Sequence, residues 1–408
     1  MKTKHFLPFI IISFGFEKTA LSQDSIPAPQ TLWQKSIAAN FSSAPILRTG
    51  ADGSVLVMGE ITSTGSSSQP TNILFRFSKE GRRQAFHNNF APGLTLKDIY
   101  SCFHNGQWLV AGNSATDGAV ISCYSEGLKR LWNRVFAGAS AHALAAGTRG
   151  FTYAVLTSTN KEGEKTDTTT GRERSLFPFE LVCINEKGKP AWRTTFYAEG
   201  FLRGVKILPI DSVLYLAVNT TILNGPDHHD LHVFQVNGQG ELRWQRQLTG
   251  AGLLGDVSAR SLVIGPGGQM HIAGISTDSL TYGELAGSFP FTYGEPYSFT
   301  LSFDKNGALR SLRQVTLARD RFQWPVIDLL WCRPDNHLLL YSDAETGVLL
   351  VSNDIFPEDK TKAVCRLPKP GYNDAQLFAA AGTKGCFYRL KHQDGTGRWE
   401  LLKLKLPE

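Results

Sequence analysis

The densest group of side chains that could do chemistry is Asp227-His228-His229-Asp230-Leu231-His232. Imidazoles and carboxylates are metal ligands, yet neighbours in sequence rarely hold one ion together. Asp230 and His232 would share a face if a strand begins there, which makes them the weak metal candidate of the chain. The plainer reading is a polar loop rich in histidine. A second group is aromatic: Tyr282, Phe289, Phe291, Tyr293 and Tyr297 stand among glycines and prolines. A planar apolar face with a polar tip suits a sugar ring or a protein interface, and the alternative is a loop that folds over its neighbour and buries them. Arg203, Arg321, Trp324 and Tyr372 form a third group of ligand or partner candidates. Signatures of catalysis are missing: there is no Gly-x-Ser-x-Gly elbow, HExxH pair, phosphate loop or dinucleotide fingerprint. No catalytic residue and no cofactor are assigned.

The elements that must position these groups follow a four-part repeat of apolar run, tight turn, run, variable loop, run, tight turn and run. Its first runs begin near Pro45, Leu96, Ala141, Leu202, Ala259, Val326 and Ala375. Turns such as Asp52-Gly53, Asn105-Gly106 and Gly267-Gly268 accept the positive φ of hairpins. A second set closes the third runs, as in Lys79-Glu80-Gly81, Glu186-Lys187-Gly188 and Lys305-Asn306-Gly307. An aromatic usually follows, with an apolar residue four positions on: Phe86/Phe90, Trp132/Phe136, Trp192/Phe196 and Trp244/Leu248. Residues four apart share a strand face, so these pairs are expected to pack sheet on sheet. The unit around Val326 departs from the pattern, with Asn353-Asp354 through Lys362 in place of the glycine turn and no tryptophan.

The last unit supplies three strands, and Thr31 to Ile37, carrying Trp33 and Ile37 at the same spacing, is expected to complete it. The expectation is therefore an all-β, seven-bladed β-propeller of four-stranded antiparallel blades, closed by the N-terminal strand joining the last blade. Residues 24–408 would form this single domain, with 31–37 completing blade seven. Residues 1–23 read as a signal peptide: Lys2 and Lys4, an apolar run from Phe6 to Phe16, then Ala20-Leu21-Ser22. That run is shorter than the ~20 residues that span a bilayer, so no transmembrane segment is expected.

The 39 glycines, 19 prolines and 42% hydrophobic residues fit many short strands around a sizeable core. A net charge of +6 leaves no polybasic footprint, so no nucleic-acid partner is expected. The six cysteines are scattered singly, which favours buried thiols; bridges are the alternative that export would permit.

Runs such as Asp52-Gly53-Ser54-Val55-Leu56-Val57-Met58-Gly59 and Gly268-Gln269-Met270-His271-Ile272-Ala273-Gly274 resemble the repeats of exported bacterial seven-bladed propellers of the SBBP type. Phe234 to Trp244 is more distantly similar to quinoprotein-like repeats, whose tryptophans dock neighbouring blades. The resemblance implies fold and export, not chemistry. In such a blade, with strands a to d from the inside out, the b–c loops and d–a links share one face. The b–c loops expand at Thr62 to Thr71, Thr157 to Ser175, Thr220 to Asp230 and Ser276 to Tyr297. Long loops often serve binding. The reading is an exported, periplasmic, outer-membrane-associated or extracellular module, non-catalytic, that binds or scaffolds an envelope or surface protein or a glycan through this face. The alternative is a glycan-active lyase or hydrolase with its site at the channel mouth.

Overall fold

The computed structural model describes residues 28–405 apart from short gaps and the stretches 62–70, 102–106, 159–164, 168–173, 223–227, 251–256, 282–296, 316–326, 354–361, 367–375, 381–385 and 394–397; the side chains of 313–385 are not described. The proposed signal segment lies outside the described residues.

The structure is an all-β propeller of antiparallel sheets. Strand β1 (Gln30–Ile37) precedes the first blade, β2 (Ile46–Thr49), β3 (Val55–Ile61), β4 (Thr71–Phe77) and β5 (Arg83–Asn88). Next comes the sheet of β6 (Leu94–Ser101), β7 (Trp108–Ser114), β8 (Gly118–Tyr124) and β9 (Arg130–Phe136). The third is β10 (Ala139–Ala146), β11 (Thr152–Ser158), β12 (Lys165–Asp167), β13 (Arg174–Ile184) and β14 (Pro190–Glu199). The fourth is β15 (Phe201–Ile210), β16 (Val213–Ile222), β17 (His228–Asn237) and β18 (Leu242–Gly250). The fifth is β19 (Val257–Ile264), β20 (Met270–Ser276), β22 (Tyr297–Phe303) and β23 (Leu309–Val315), while the intervening β21 (Leu280–Thr281) pairs back onto β18. There follow β24 (Ile327–Arg333), β25 (Asn336–Asp343), β26 (Gly347–Asn353) and β27 (Lys362–Arg366), and then β28 (Gln376–Ala380), β29 (Cys386–Gln393) and β30 (Arg398–Lys405). β30 pairs antiparallel with β1, so the N-terminal strand becomes the outer strand of the C-terminal sheet.

The expectation of a seven-bladed propeller is corrected in its number of blades, which is six. Six blades are joined by apolar interfaces of described side chains: the C-terminal sheet packs on the first blade, and each packs on the next as far as the fifth. The sheet β24–β27, in the unit that lacks the tryptophan and glycine turn, is defined by backbone pairing alone. Nor are the blades uniformly four-stranded. Two sheets hold a fifth strand, because β12 folds onto β13 and β21 crosses to β18. Both extra strands come from the long b–c insertions, whose backbone groups find partners on a strand edge that would otherwise be open.

Local chemistry explains the repeat. In the c–d turns a short polar side chain accepts two backbone N–H groups: Asn185 Oδ1 from Lys187 and Lys189, Asn237 Oδ1 from Gln239 and Glu241, Asp304 Oδ1 from Asn306 and Ala308, at 2.9–3.0 Å. Each turn then needs a left-handed residue, supplied by Gly188, Gly240 and Gly307 at φ 74–88°. A Cβ on any of these would stand within 2.9 Å of a tryptophan ring of the preceding blade: Trp132, Trp192 and Trp244 respectively. Trp33 meets Gly81 of the first blade in the same way. The indole N–H groups of Trp33, Trp192 and Trp244 donate to carbonyls of Lys79, Gly238 and Lys305 at 2.9–3.2 Å. The glycine thus serves the turn and its neighbour together, and the tryptophans are structural docks. Cys123, Cys183 and Cys386 are buried free thiols. Burial pushes the first two up to about 11 and about 12, which leaves them unreactive. No described helix is long and apolar enough to cross a membrane.

Candidate functional site at the inner rim

The first strands of successive blades contact one another, β6 with β10, β10 with β15 and β15 with β19, so they line the axis. Each begins at the face that carries the b–c loops and d–a links. In all four, the pairing with the second strand slips by one residue near that face, and the extra residue is Lys97, His142, Arg203 or Arg260. A bulge leaves one residue outside the ladder and re-aims its side chain. Here every re-aimed residue is basic. Lys97, Arg203 and Arg260 are exposed, and His142 is partly so.

Two devices hold the bulges. Opposite the first and last stand glycines, Gly112 facing Leu96 and Gly274 facing Ala259. A Cβ on Gly274 would lie 2.4 Å from the Ser258 carbonyl oxygen, and one on Gly112 would lie 3.0 Å from that of Thr95. Secondly, a polar side chain at the end of the preceding blade's second strand grips the backbone just before the bulge. Glu60 Oε1 accepts the Leu96 N–H at 2.9 Å, and Asn113 Oδ1 accepts that of Ala141 at 2.7 Å. Asn219 accepts the Ala259 N–H at 2.8 Å and donates to its carbonyl at 3.0 Å. The bulges of Lys97, His142 and Arg260 are therefore fixed relative to the blade before them.

Electrostatics tie the positions together. His142 is held below its ordinary range, first by burial and then by the charge of Lys97 one blade away. Its Nε2 lies 2.8 Å from Thr157 Oγ1, in a hydrogen bond whose donor follows the ring tautomer. Burial also lowers Arg260 from its ordinary value, an arginine nonetheless charged at any physiological pH. Arg203 reaches across the fourth blade to hydrogen-bond His229 Nε2.

Beside Arg203 lies an aromatic pair, Phe177 and Phe201, with ring centroids 3.9 Å apart and planes tilted by 37°. Phe201 is 36% exposed, so part of its ring meets solvent while the rest meets Phe177. It is set by Gly200, at φ 83°, whose absent Cβ would strike the Thr221 carbonyl oxygen at 2.5 Å. Beneath the mouth, the Gln247 amide donates to Glu199 Oε2 at 3.0 Å and to Asp230 Oδ2 at 2.8 Å.

Of the candidates named from sequence, Arg203 stands at this rim. Tyr282, Phe289, Phe291, Tyr293, Arg321, Trp324 and Tyr372 lie outside the described residues, and Tyr297 begins β22 with its side chain not described. Asp230 and His232 share a face of β17 and are both fully buried, with Asp230 held by Gln247 and His232 stacked near Phe234. Among the described residues, no group of three or more His, Cys, Asp or Glu could hold a metal ion. Sequence reasoning missed Lys97, His142 and Arg260, and Phe177 with Phe201. The available signal was a basic residue at the second position of each first run, directly after Leu96, Ala141, Leu202 and Ala259.

No family model and no curated protein matches this chain, so its SBBP and quinoprotein likenesses remain likenesses of pattern. Solved structures match over nearly its whole length. A protein of unknown function from Dyadobacter fermentans is 10% identical, with 94% of this chain and all of that one covered and a TM-score of 0.51. The polysaccharide lyase Uly1 is 9% identical, with 90% and 92% covered and a TM-score of 0.52. BBS1N, solved in complex with ARL6DN, is 11% identical, with 94% and 98% covered and a TM-score of 0.50. At these identities the likeness shows the propeller fold alone.

Proposed function

We propose that this chain is an exported, non-catalytic propeller that binds a glycan at the mouth shared by its b–c loops and d–a links. The observation that carries the reading is the exposed Phe201 ring, stacked on Phe177 and flanked by the Arg203–His229 pair. An aromatic face takes the C–H face of a sugar ring while adjoining polar groups take its hydroxyls. An envelope glycan is the preferred partner over a protein.

A glycan-active lyase or hydrolase at the same mouth is the second reading, favoured by the shared fold with a polysaccharide lyase. Against it, two carboxylates of the third and fourth blades are engaged structurally: the Gln247 amide bridges Glu199 and Asp230, and Asp230 is fully buried.

Affinity electrophoresis of the purified protein through gels containing a panel of neutral and acidic polysaccharides tests the proposal. Retardation by at least one polymer is expected, weakened about tenfold or more by Phe201→Ala, a loss in line with one stacking contact. Retardation by none, or none that depends on Phe201, would overturn it. Shortening of the polymer during the run would move the chain to the second reading. Export is checked by fractionating the native cell and determining the mature N-terminus, expected after Ser22 or Gln23.

A further inference from the structure

We infer that the glycan bound at this mouth is polyanionic, carrying carboxylates or sulfates that Lys97, His142, Arg203 and Arg260 engage as one arc along the inner rim. The inference rests on the glycan reading above and names the substrate class of that same site.

The argument begins with what a bulge residue needs. Packing would call for a small or apolar side chain, as at the flanking Ala141 and Ala143, both buried. Solvation alone would accept any polar residue, acids included. The four bulges at this end of the first strands instead carry a basic residue, whereas the bulge at the opposite end of β24 carries Cys332, and lysine and arginine together outnumber aspartate and glutamate only 42 to 36 in the whole chain. The positive charge is thus local to the rim rather than a spill-over from an overall basic surface.

Geometry adds to this. The four strands are consecutive around the axis, so the four residues occupy equivalent places on adjoining blades, and Lys97 is close enough to His142 to disfavour its protonation. Bringing like charges together costs free energy until an anion arrives, and the hydrogen bonds from Glu60, Asn113 and Asn219 hold the bulges in place against it. A ligand with several negative groups at repeating intervals relieves that repulsion at each blade. Inorganic anions do so one at a time, whereas a uronate or sulfated chain spans the arc and lays sugar faces on Phe201. Arginine forks suit both carboxylate and sulfate oxygens.

The test compares a neutral polymer with its sulfated form and with two polyanions of other backbones. Binding of the full chain to dextran, dextran sulfate, polygalacturonate and inorganic polyphosphate is measured by affinity electrophoresis and by titration at rising NaCl. Dextran sulfate and polygalacturonate are expected to bind at least tenfold tighter than dextran, with affinity falling as salt rises. Lys97→Gln and Arg260→Gln are each expected to weaken both polyanions about 3- to 10-fold and their double variant more. Both residues are exposed, so unchanged thermal melting confirms intact folding. Equal affinity for dextran and dextran sulfate, or polyanion binding indifferent to both substitutions, would overturn the anionic class while leaving a glycan site in place. Polyphosphate bound as tightly as the polysaccharides, without effect of Phe201→Ala, would overturn the glycan reading itself.

Discussion

The outer strands and the inner rim use the same repeat for opposite ends. At the outer strand, a tryptophan of one blade covers a left-handed glycine in the turn of the next, and the contact tolerates little variation because both partners are set by shape. At the rim, the backbone is repeated with equal care, bulge for bulge, while the residue presented varies among Lys, His and Arg. Packing fixes volume. A solvated site fixes charge and direction, and leaves length and hydrogen-bonding pattern free to fit a ligand.

Trp244→Ala breaks the outer half of that contrast most severely. It removes a nearly buried ring from over Gly307, the hydrogen bond to the Lys305 carbonyl, and the surface on which the Arg246 guanidinium lies 5.8 Å from the ring centroid. A loss of about 3–5 kcal/mol is expected by chemical denaturation, with polyanion affinity of the folded protein unchanged. The matched substitution is Phe86→Ala, at the same strand position of the first blade but 47% exposed. It should cost only about 1 kcal/mol, as half-exposed aromatics do. Equal losses would mean that docking is not what sets these residues.

Asn219→Ala sharpens the contrast, since its side chain belongs to the scaffold and its effect should reach the site. Two hydrogen bonds to Ala259 disappear, leaving a backbone N–H and a carbonyl to find water, at a cost of about 1–3 kcal/mol. Arg260 is the next residue. Its bulge loses the clip, so polyanion affinity should fall by about as much as in Arg260→Gln, while Trp244→Ala leaves that affinity alone. Undiminished affinity would show that the clip serves stability only.

How much of this could be read in the sequence follows from the same division. The turns were legible because their chemistry is local: Asn237-Gly238-Gln239-Gly240 specifies an Asx turn and a left-handed residue whatever surrounds it. The docks were legible because Trp192 and Phe196 repeat the spacing of Trp132 and Phe136. Seven blades were expected rather than six because the unit from Val326 keeps the spacing of runs and turns even though its glycine turn and tryptophan are missing. Five-stranded sheets were not foreseen, because β21 pairs with β18 across about thirty residues and nothing in Leu280-Thr281 names its partner. The rim was missed for a related reason. A bulge is a property of two strands, and a lone Lys97 or His142 within an apolar run reads as an ordinary solvent-facing position until its register is known. Of the four, Arg203 alone was singled out, as a ligand or partner candidate, without the three residues that give it meaning.

The smallest expected effect is also the most specific to the rim. Burial and Lys97 together hold His142 below the ordinary 6.5, so below that pH the unfolded chain takes up a proton more readily than the folded one. Stability should therefore decline as pH falls through 6.5 toward the lower folded value, and His142→Gln should lack this part of the decline. A bound polyanion reverses the balance at the same residue: it offsets the charge of Lys97 and favours the protonated ring, so binding takes up a proton. Between pH 7.5 and 5.5, where carboxylates with ordinary values stay ionised, affinity for dextran sulfate should rise about 2- to 5-fold in the parent and stay nearly flat in His142→Gln. Neutral dextran should show no such dependence in either protein. A rise that survives in His142→Gln would place the titrating group elsewhere, and would separate His142 from the arc formed with Lys97, Arg203 and Arg260.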